Sequence, residues 1–182
     1  MIDEKEKIRK RILRALEEQS PQERRKRSTL IKEKLFRSKE YKAARVILFY
    51  LSMEGEVQTD EMIEAALKKK KRVAVPMTFV KERKLICAEL DNLKGLVLGP
   101  YGIRLPRKIK EIPAKEIDLV IVPGVAYDKG LNRLGRGAGY YDRFLKKVAA
   151  GVPKIGLAFK LQVLKRLPSL SHDVPVTRLI SA

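Results

Sequence analysis

Two runs of consecutive apolar residues, Val46-Ile-Leu-Phe-Tyr-Leu51 and Leu119-Val-Ile-Val122, restrict the architecture more than any other feature of the chain. Each is too short for a buried helix and has no polar residue at alternate positions, so each must be covered on both faces. Their β-branched and aromatic side chains favour strands. Strands buried on both sides belong to parallel sheets with helices packed above and below, and the rest of the chain supplies those helices. Ile2, Ile8, Ile12, Leu13 and Leu16 recur at three- and four-residue steps, which predicts an amphipathic helix. Ser20-Pro21-Gln22-Glu23 then restarts the chain with an N-cap, a first-turn proline and an acid placed to complete a capping box. A second helix is expected to about Arg37, with Leu30, Ile31, Leu35 and Phe36 inward and the basic run Arg24 to Arg27 outward.

Further helices are expected over Thr59 to Lys71, Gly139 to Ala150 and near Leu161 to Leu167, with strands at Arg72 to Pro76, Leu85 to Leu90 and Lys154 to Phe159. This alternation predicts a single three-layer α/β/α domain over residues 1–182, with a largely parallel central sheet and helices on both faces. The amino-terminal helices of residues 1–40 pack on that sheet. The stretch from Leu93 to Ile117 holds three glycines and three prolines, and reads either as a surface excursion or as a lid over a site.

Of the 182 residues, 45% are apolar and 35% charged, which excludes a disordered chain, and no segment approaches the ~18 apolar residues of a membrane span. The 41 Lys and Arg against 22 Asp and Glu leave a net charge of +19, so the partner should be anionic: nucleic acid, a membrane surface, or a phosphate- or carboxylate-bearing small molecule. Cys87, the one cysteine, lies in an apolar strand and excludes both a disulfide framework and a thiolate metal cluster. With no signal-peptide core at the amino terminus, the cytoplasm is the expected compartment.

Chemistry concentrates between Asp118 and Asp142, where a buried strand ends at Pro123 and Gly135, Gly137 and Gly139 lead into a helix. Ligands of open α/β sheets bind beyond the carboxyl ends of strands, and a glycine-rich turn exposes backbone N–H groups to an anion. Arg133 and Arg136 add charge on either side of Gly135. The spacing matches neither the dinucleotide fingerprint nor a P-loop, and a glycine turn with arginines in solvent is the alternative reading.

The whole segment Asn132-Arg-Leu-Gly-Arg-Gly-Ala-Gly-Tyr-Tyr-Asp-Arg143 resembles the signature of the 5-formyltetrahydrofolate cyclo-ligase family. Other pieces fall in that family's order: Lys5-x-x-Ile8-Arg9, Tyr50-Leu-Ser-Met-Glu-Gly-Glu56, Tyr101-Gly-Ile, and His172-Asp173-Val174. The resemblance implies an enzyme that uses ATP and Mg²⁺ to convert 5-formyltetrahydrofolate to 5,10-methenyltetrahydrofolate, ADP and phosphate; a monomer without membrane or nucleic-acid partners is the accompanying expectation. It assigns Lys5, Arg9 and the loop Arg133, Leu134, Gly135, Arg136, Gly137, Ala138, Gly139, Tyr140 and Tyr141 to ATP. Leu51, Glu56 and the portion from Arg136 through Gly137, Ala138 and Gly139 to Tyr140 face the folate, so Arg136 and Tyr140 are expected at the reacting centre. Asp142 and Asp173 are the implied Mg²⁺ ligands. His172 is read as structural or metal-adjacent, since activating an amide oxygen by phosphorylation needs no histidine. The chain departs from the family pattern at Arg104-Leu105-Pro106 and at Thr177, where acidic residues are common.

Two other classes compete. A nucleic-acid-binding module is suggested by the net charge and by the runs Arg24 to Arg27 and Lys68 to Arg72, yet neither run contains an aromatic residue and no RRM, KH or zinc-finger pattern occurs. The same α/β fold could also act on another phosphorylated or carboxylated small molecule.

Overall fold

The computed structural model describes residues 2–182. Three helices come first, α1 (Ile2–Glu17), α2 (Pro21–Arg37) and α3 (Lys39–Ala43), followed by β1 (Val46–Leu48), α4 (Asp60–Lys68), β2 (Arg72–Phe79) and β3 (Lys84–Leu90). Short strands β4 (Val97–Leu98), β5 (Arg104–Leu105) and β6 (Glu111–Ile112) lead to β7 (Leu119–Val122), β8 (Ala126–Asp128) and β9 (Arg133–Leu134). The chain ends with α5 (Tyr140–Leu145), β10 (Lys154–Ala158), β11 (Val163–Leu164) and β12 (Arg178–Ser181).

The central sheet has the order β12-β10-β7-β1-β2-β3-β6. Its first five strands are parallel; β3 and β6 are antiparallel additions at one edge. The unbroken apolar runs are explained by the pleat, which sends successive side chains to opposite faces. Ile47, Phe49, Val73, Ile121 and Ile155 enter one core with Ile12 and Leu16 of α1, Ile31 and Leu35 of α2, and Met62 and Ile63 of α4. Leu48, Ala74, Val120 and Val122 enter the other, against Phe144 and Leu145 of α5 and the segment from Ile112 to Ile117. One face therefore carries four helices, and the other a single short helix with irregular chain.

Several expectations need correction. On α2 the inward line is Arg24, Ser28, Ile31 and Leu35, while Leu30 is half exposed. Arg24 begins the buried face; one terminal nitrogen of its guanidinium donates to the Gln19 carbonyl oxygen, while its Nε has no partner among the described residues. Ser20 accepts from the Glu23 N–H as expected, but the Glu23 carboxylate is taken by Arg27, so the box is half made. The helix expected over Gly139 to Ala150 stops at Leu145. The helix expected near Leu161 is one 3₁₀ turn, Lys160–Gln162, after which β11 joins β8 and β9 in a small separate sheet. Strand β12 escaped the sequence reading because Ile180 alone among its four residues is buried. Thr177, one of the departures from the family pattern, fastens β12 to β10: its hydroxyl accepts from the Lys154 N–H and donates to the Lys154 carbonyl oxygen.

The sheet order positions the site. The chain leaves β1 toward β2 and leaves adjacent β7 toward β10, in opposite directions across the sheet. Such a divergence opens a crevice beyond the carboxyl ends of the two strands. No helix among the described residues is long and apolar enough to cross a membrane.

Candidate functional site

A cavity of about 1150 Å³ occupies that crevice, larger than the roughly 300–1,000 Å³ typical for one small ligand. Every residue assigned to ATP, folate or Mg²⁺ in the sequence lies on its wall: Lys5 and Arg9 from α1, Leu51 and Glu56 from the β1 exit, the stretch from Arg133 to Asp142, and Asp173.

Beyond β1 the chain makes a closed loop. The Thr59 hydroxyl donates to the Tyr50 carbonyl oxygen at 2.6 Å and accepts from the Ser52 N–H, while the Tyr50 hydroxyl donates to the Val57 carbonyl oxygen. Burial, with Glu56 nearby, pushes the Tyr50 phenol far above its ordinary pKa, so it remains a neutral donor. Within this loop one oxygen of Glu56 accepts from the Met53 N–H at 3.0 Å and the other faces Arg136 at 3.1 Å.

Beyond β7 the hairpin β8–β9 delivers the glycine-rich loop. Gly137 has φ 111°, a conformation that L side chains rarely adopt, so the turn needs glycine there. Arginines hold the loop through its carbonyl groups: Arg9 Nε donates to the Gly135 oxygen at 2.8 Å, and Arg143 to the Ala138 oxygen at 3.0 Å. The N–H groups of Arg136, Gly137, Ala138 and Gly139 take no acceptor among the described residues. Four N–H groups without an acceptor thus belong to residues that line a cavity whose rim is basic. With α5 only six residues long, these donors and not a helix dipole are the loop's main contribution.

The two aspartates are each engaged by a cation. Asp173 pairs with Lys5 at 2.5 Å and accepts from the Leu170 N–H. Burial opposes its charge, but the Lys5 hydrogen bond and the Leu170 N–H outweigh it and hold the carboxyl below its ordinary pKa. Asp142 accepts through Oδ1 from Arg133 at 2.6 Å and from the Val174 N–H at 3.1 Å, which brings the segment bearing Asp173 beside it. Arg133 is nearly sealed, its side chain 3% exposed and its Nε without a partner. Each carboxylate keeps its second oxygen free of hydrogen bonds among the described residues. No cluster of three or more metal-ligating side chains occurs among those residues. Two carboxylates with free oxygens on the wall of this cavity fit a Mg²⁺ that takes its remaining ligands from phosphate and water. His172 is largely exposed and 3.8 Å from Asp173.

Tyr140 and Tyr141 both line the cavity and both pack against the second core, and Arg143 stacks 5.1 Å from the Tyr140 ring centre. Residues that the sequence reading missed as site members complete the rim. Tyr101 and Ile103 make part of the cavity wall, so the segment from Leu93 to Ile117 is in part a side of the site. Arg104 bonds Asp60 through both nitrogens at 2.7 and 2.6 Å and reaches the Ser52 carbonyl oxygen. The basic residue at this departure from the family pattern therefore ties the segment to the β1 exit. Arg83, Arg143 and Lys146 also line the cavity. Isolated charges on a short turn and a short helix carry no periodic signal that could have marked them.

The basic runs are largely occupied elsewhere. Lys69 and Lys71 lie over the Phe36 and Tyr41 rings, Lys71 also donates to the Ala44 carbonyl oxygen, and Arg72 pairs with Glu89 and Glu116.

The chain matches the model of the 5-formyltetrahydrofolate cyclo-ligase family over residues 1–182. It is 31% identical to a Mus musculus protein named 5-formyltetrahydrofolate cyclo-ligase, over 94% of this chain and 88% of the other. A Haemophilus influenzae protein of the same name is 33% identical over 75% of each. The solution structure of Aquifex aeolicus 5,10-methenyltetrahydrofolate synthetase superposes with a TM-score of 0.85 at 32% identity, covering 97% of this chain and 89% of that one. A Mycoplasma pneumoniae 5,10-methenyltetrahydrofolate synthetase, at 24% identity and TM-score 0.79 over 97% of both chains, has the same fold.

Proposed function

Because the chain belongs to the 5-formyltetrahydrofolate cyclo-ligase family, we propose that it closes the ring of 5-formyltetrahydrofolate with ATP as phosphoryl donor, releasing 5,10-methenyltetrahydrofolate, ADP and phosphate. The observation that carries this reading is one cavity, larger than is usual for a single small ligand, whose wall holds both the glycine loop with its unpaired N–H groups and the Glu56 carboxylate.

The formyl group is an amide, so its carbon is a poor electrophile and its oxygen a poor leaving group. Transfer of the γ-phosphoryl group to that oxygen, with departure of ADP, gives an imidate-like phosphate. N10 then attacks the activated carbon, loses its proton, and phosphate leaves. Catalysis of this kind rests on positioning and charge neutralisation. The N–H groups from Arg136 to Gly139 and the side chains of Lys5 and Arg9 receive the triphosphate. Glu56 accepts hydrogen bonds from the N–H edge of the pterin, Leu51 packs beside it, and Tyr140 offers a flat face to the aromatic part. Arg136, 46% exposed and held by Glu56 alone, is free to swing toward charge developing between the substrates. Mg²⁺ carried with ATP would be held by Asp142 and Asp173 and supplies further neutralisation of the phosphates. The protein acts as a monomer in the cytoplasm, where its single thiol, pushed up to about 12 by burial, stays inert.

Mixing the protein with 5-formyltetrahydrofolate, ATP and Mg²⁺ should develop the methenyl chromophore, with one phosphate released per methenyl group formed and no product when any component is omitted. Folded protein that gives no chromophore refutes the reading.

A further inference from the structure

The cations on the cavity wall divide into two kinds. Lys5, Arg9, Arg133 and Arg136 each face a carboxylate of the protein. Arg83, Arg143 and Lys146 line the same cavity, are exposed, and pair with no carboxylate among the described residues. Arg143 binds carbonyl oxygens alone, those of Arg83 at 3.1 Å and Ala138 at 3.0 Å, which draws the β2–β3 turn and α5 together at one end of the glycine loop. Both Arg143 and Arg83 act on the Tyr140 phenol, lowering a pKa that burial and the Tyr101 hydroxyl raise. The result is a group of positive charges beside an aromatic face, with no carboxylate among the described residues paired to it.

The contacts along the wall are informative. Glu56 pairs with Arg136 where the loop begins, and where the loop ends Tyr140 stacks with Arg143, which also holds the Ala138 carbonyl oxygen; Arg83 and Lys146 line the same cavity. A carboxylate, an aromatic ring and a cation group in sequence complement a molecule with N–H donors at one end, an aryl ring in the middle and carboxylates at the other. The folate proposed as substrate has that order: pterin, aminobenzoyl, glutamate. We infer that Arg83, Arg143 and Lys146 form a subsite for the carboxylates of the folate's glutamate tail, separate from the phosphate site at Lys5 and Arg9. The inference rests on the folate reading above and adds to it the recognition of the tail.

The test compares kcat/KM for 5-formyltetrahydrofolate with that for 5-formyltetrahydropteroate, which lacks the glutamate, at saturating ATP and Mg²⁺. Arg83→Asn and Lys146→Ala remove single charges; Asn tolerates the left-handed backbone at position 83, where φ is 48°. The wild-type protein should prefer the tailed substrate. Each variant should lower that preference about threefold to tenfold, the pair should lower it further with Arg143 holding what remains, and KM for ATP should not move, as expected for exposed charge-assisted contacts. Lys26→Ala, a remote exposed cation on α2, serves as control for net charge. Undiminished preference in the double variant overturns the subsite, as does an equal loss in Lys26→Ala or a rise confined to KM for ATP. A wild-type protein that turns over neither substrate overturns the folate reading and the subsite with it, whereas turnover with unchanged preference overturns the subsite alone.

Discussion

Removing the Asp142 carboxylate should destabilise the protein as well as impair it. Its partner Arg133 is 3% exposed and donates to Asp142 at 2.6 Å. Its Nε already lacks an acceptor, and its other contact, to the Pro123 carbonyl oxygen, is long at 3.4 Å. Asp142→Ala therefore strands a guanidinium in the wall of the cavity. Breaking a buried pair from one side costs roughly 3–5 kcal/mol; because Asp142 is 19% exposed and cavity water can enter, the low end of that range, about 3 kcal/mol, applies. For a chain of 182 residues this corresponds to a fall in melting temperature of about 6–12 °C. Arg133→Met in the same background removes the stranded charge while keeping most of the volume, and should recover more than half of the loss without restoring turnover. Thermal melts and methenyl formation on the wild type, both single variants and the double variant complete the cycle. If Asp142→Ala melts within about 1 °C of the wild type, or the double variant is no more stable than Asp142→Ala, the ion pair does not carry the stability assigned to it.

Three further outcomes follow from the same geometry. Arg136→Ala should reduce kcat at least about a hundredfold, the scale of a lost transition-state donor, with little change in melting temperature, because Arg136 is 46% exposed and pairs with Glu56 alone; steady-state kinetics beside a melt decide it. In Gly156→Ala the new Cβ would lie 2.5 Å from Cε1 of the fully buried Tyr127 ring, whose hydroxyl is fastened to the Val122 carbonyl oxygen at 2.7 Å; urea unfolding should show a loss of about 1–3 kcal/mol. Arg72 and Lys110 hold the Glu89 carboxyl down to about 2. Since its folded pKa lies below the unfolded one, its contribution is complete above pH ~5, wanes as pH falls through ~4, and is gone near pH ~2; the stability gap between the wild type and Glu89→Gln should close over that interval, and a gap that widens on acidification would contradict the pairing.

The elements legible in the sequence were those whose local pattern leaves one solution. Val46–Leu48 and Leu119–Val122 had to be strands covered on both faces, and Ile12 and Leu16 had to lie on the inward line of α1. The loop from Gly135 to Gly139 was recognisable because glycines at alternate positions entering a helix leave backbone N–H groups open to an anion, whereas Lys5 and Arg9 were marked only by their resemblance to the family pattern. Three-dimensional packing decided the rest. Whether β3 runs parallel or antiparallel to β2 depends on the tight turn from Val80 to Arg83, not on the composition of either strand. Arg24 is buried and Leu30 half exposed because the neighbours of α2, not its own sequence, choose which stripe faces inward. β12 exists only by pairing with β10, and α5 stops at Leu145 although apolar spacing continues to Val148. The sequence by itself determined which residues could meet an anion, since charge and backbone freedom belong to individual residues. Tertiary structure alone decided that Arg133 faces Asp142 and Lys5 faces Asp173, while Arg83, Arg143 and Lys146 face no acid among the described residues. Pairing depends on distance between segments far apart in the chain, and only the folded sheet sets that distance.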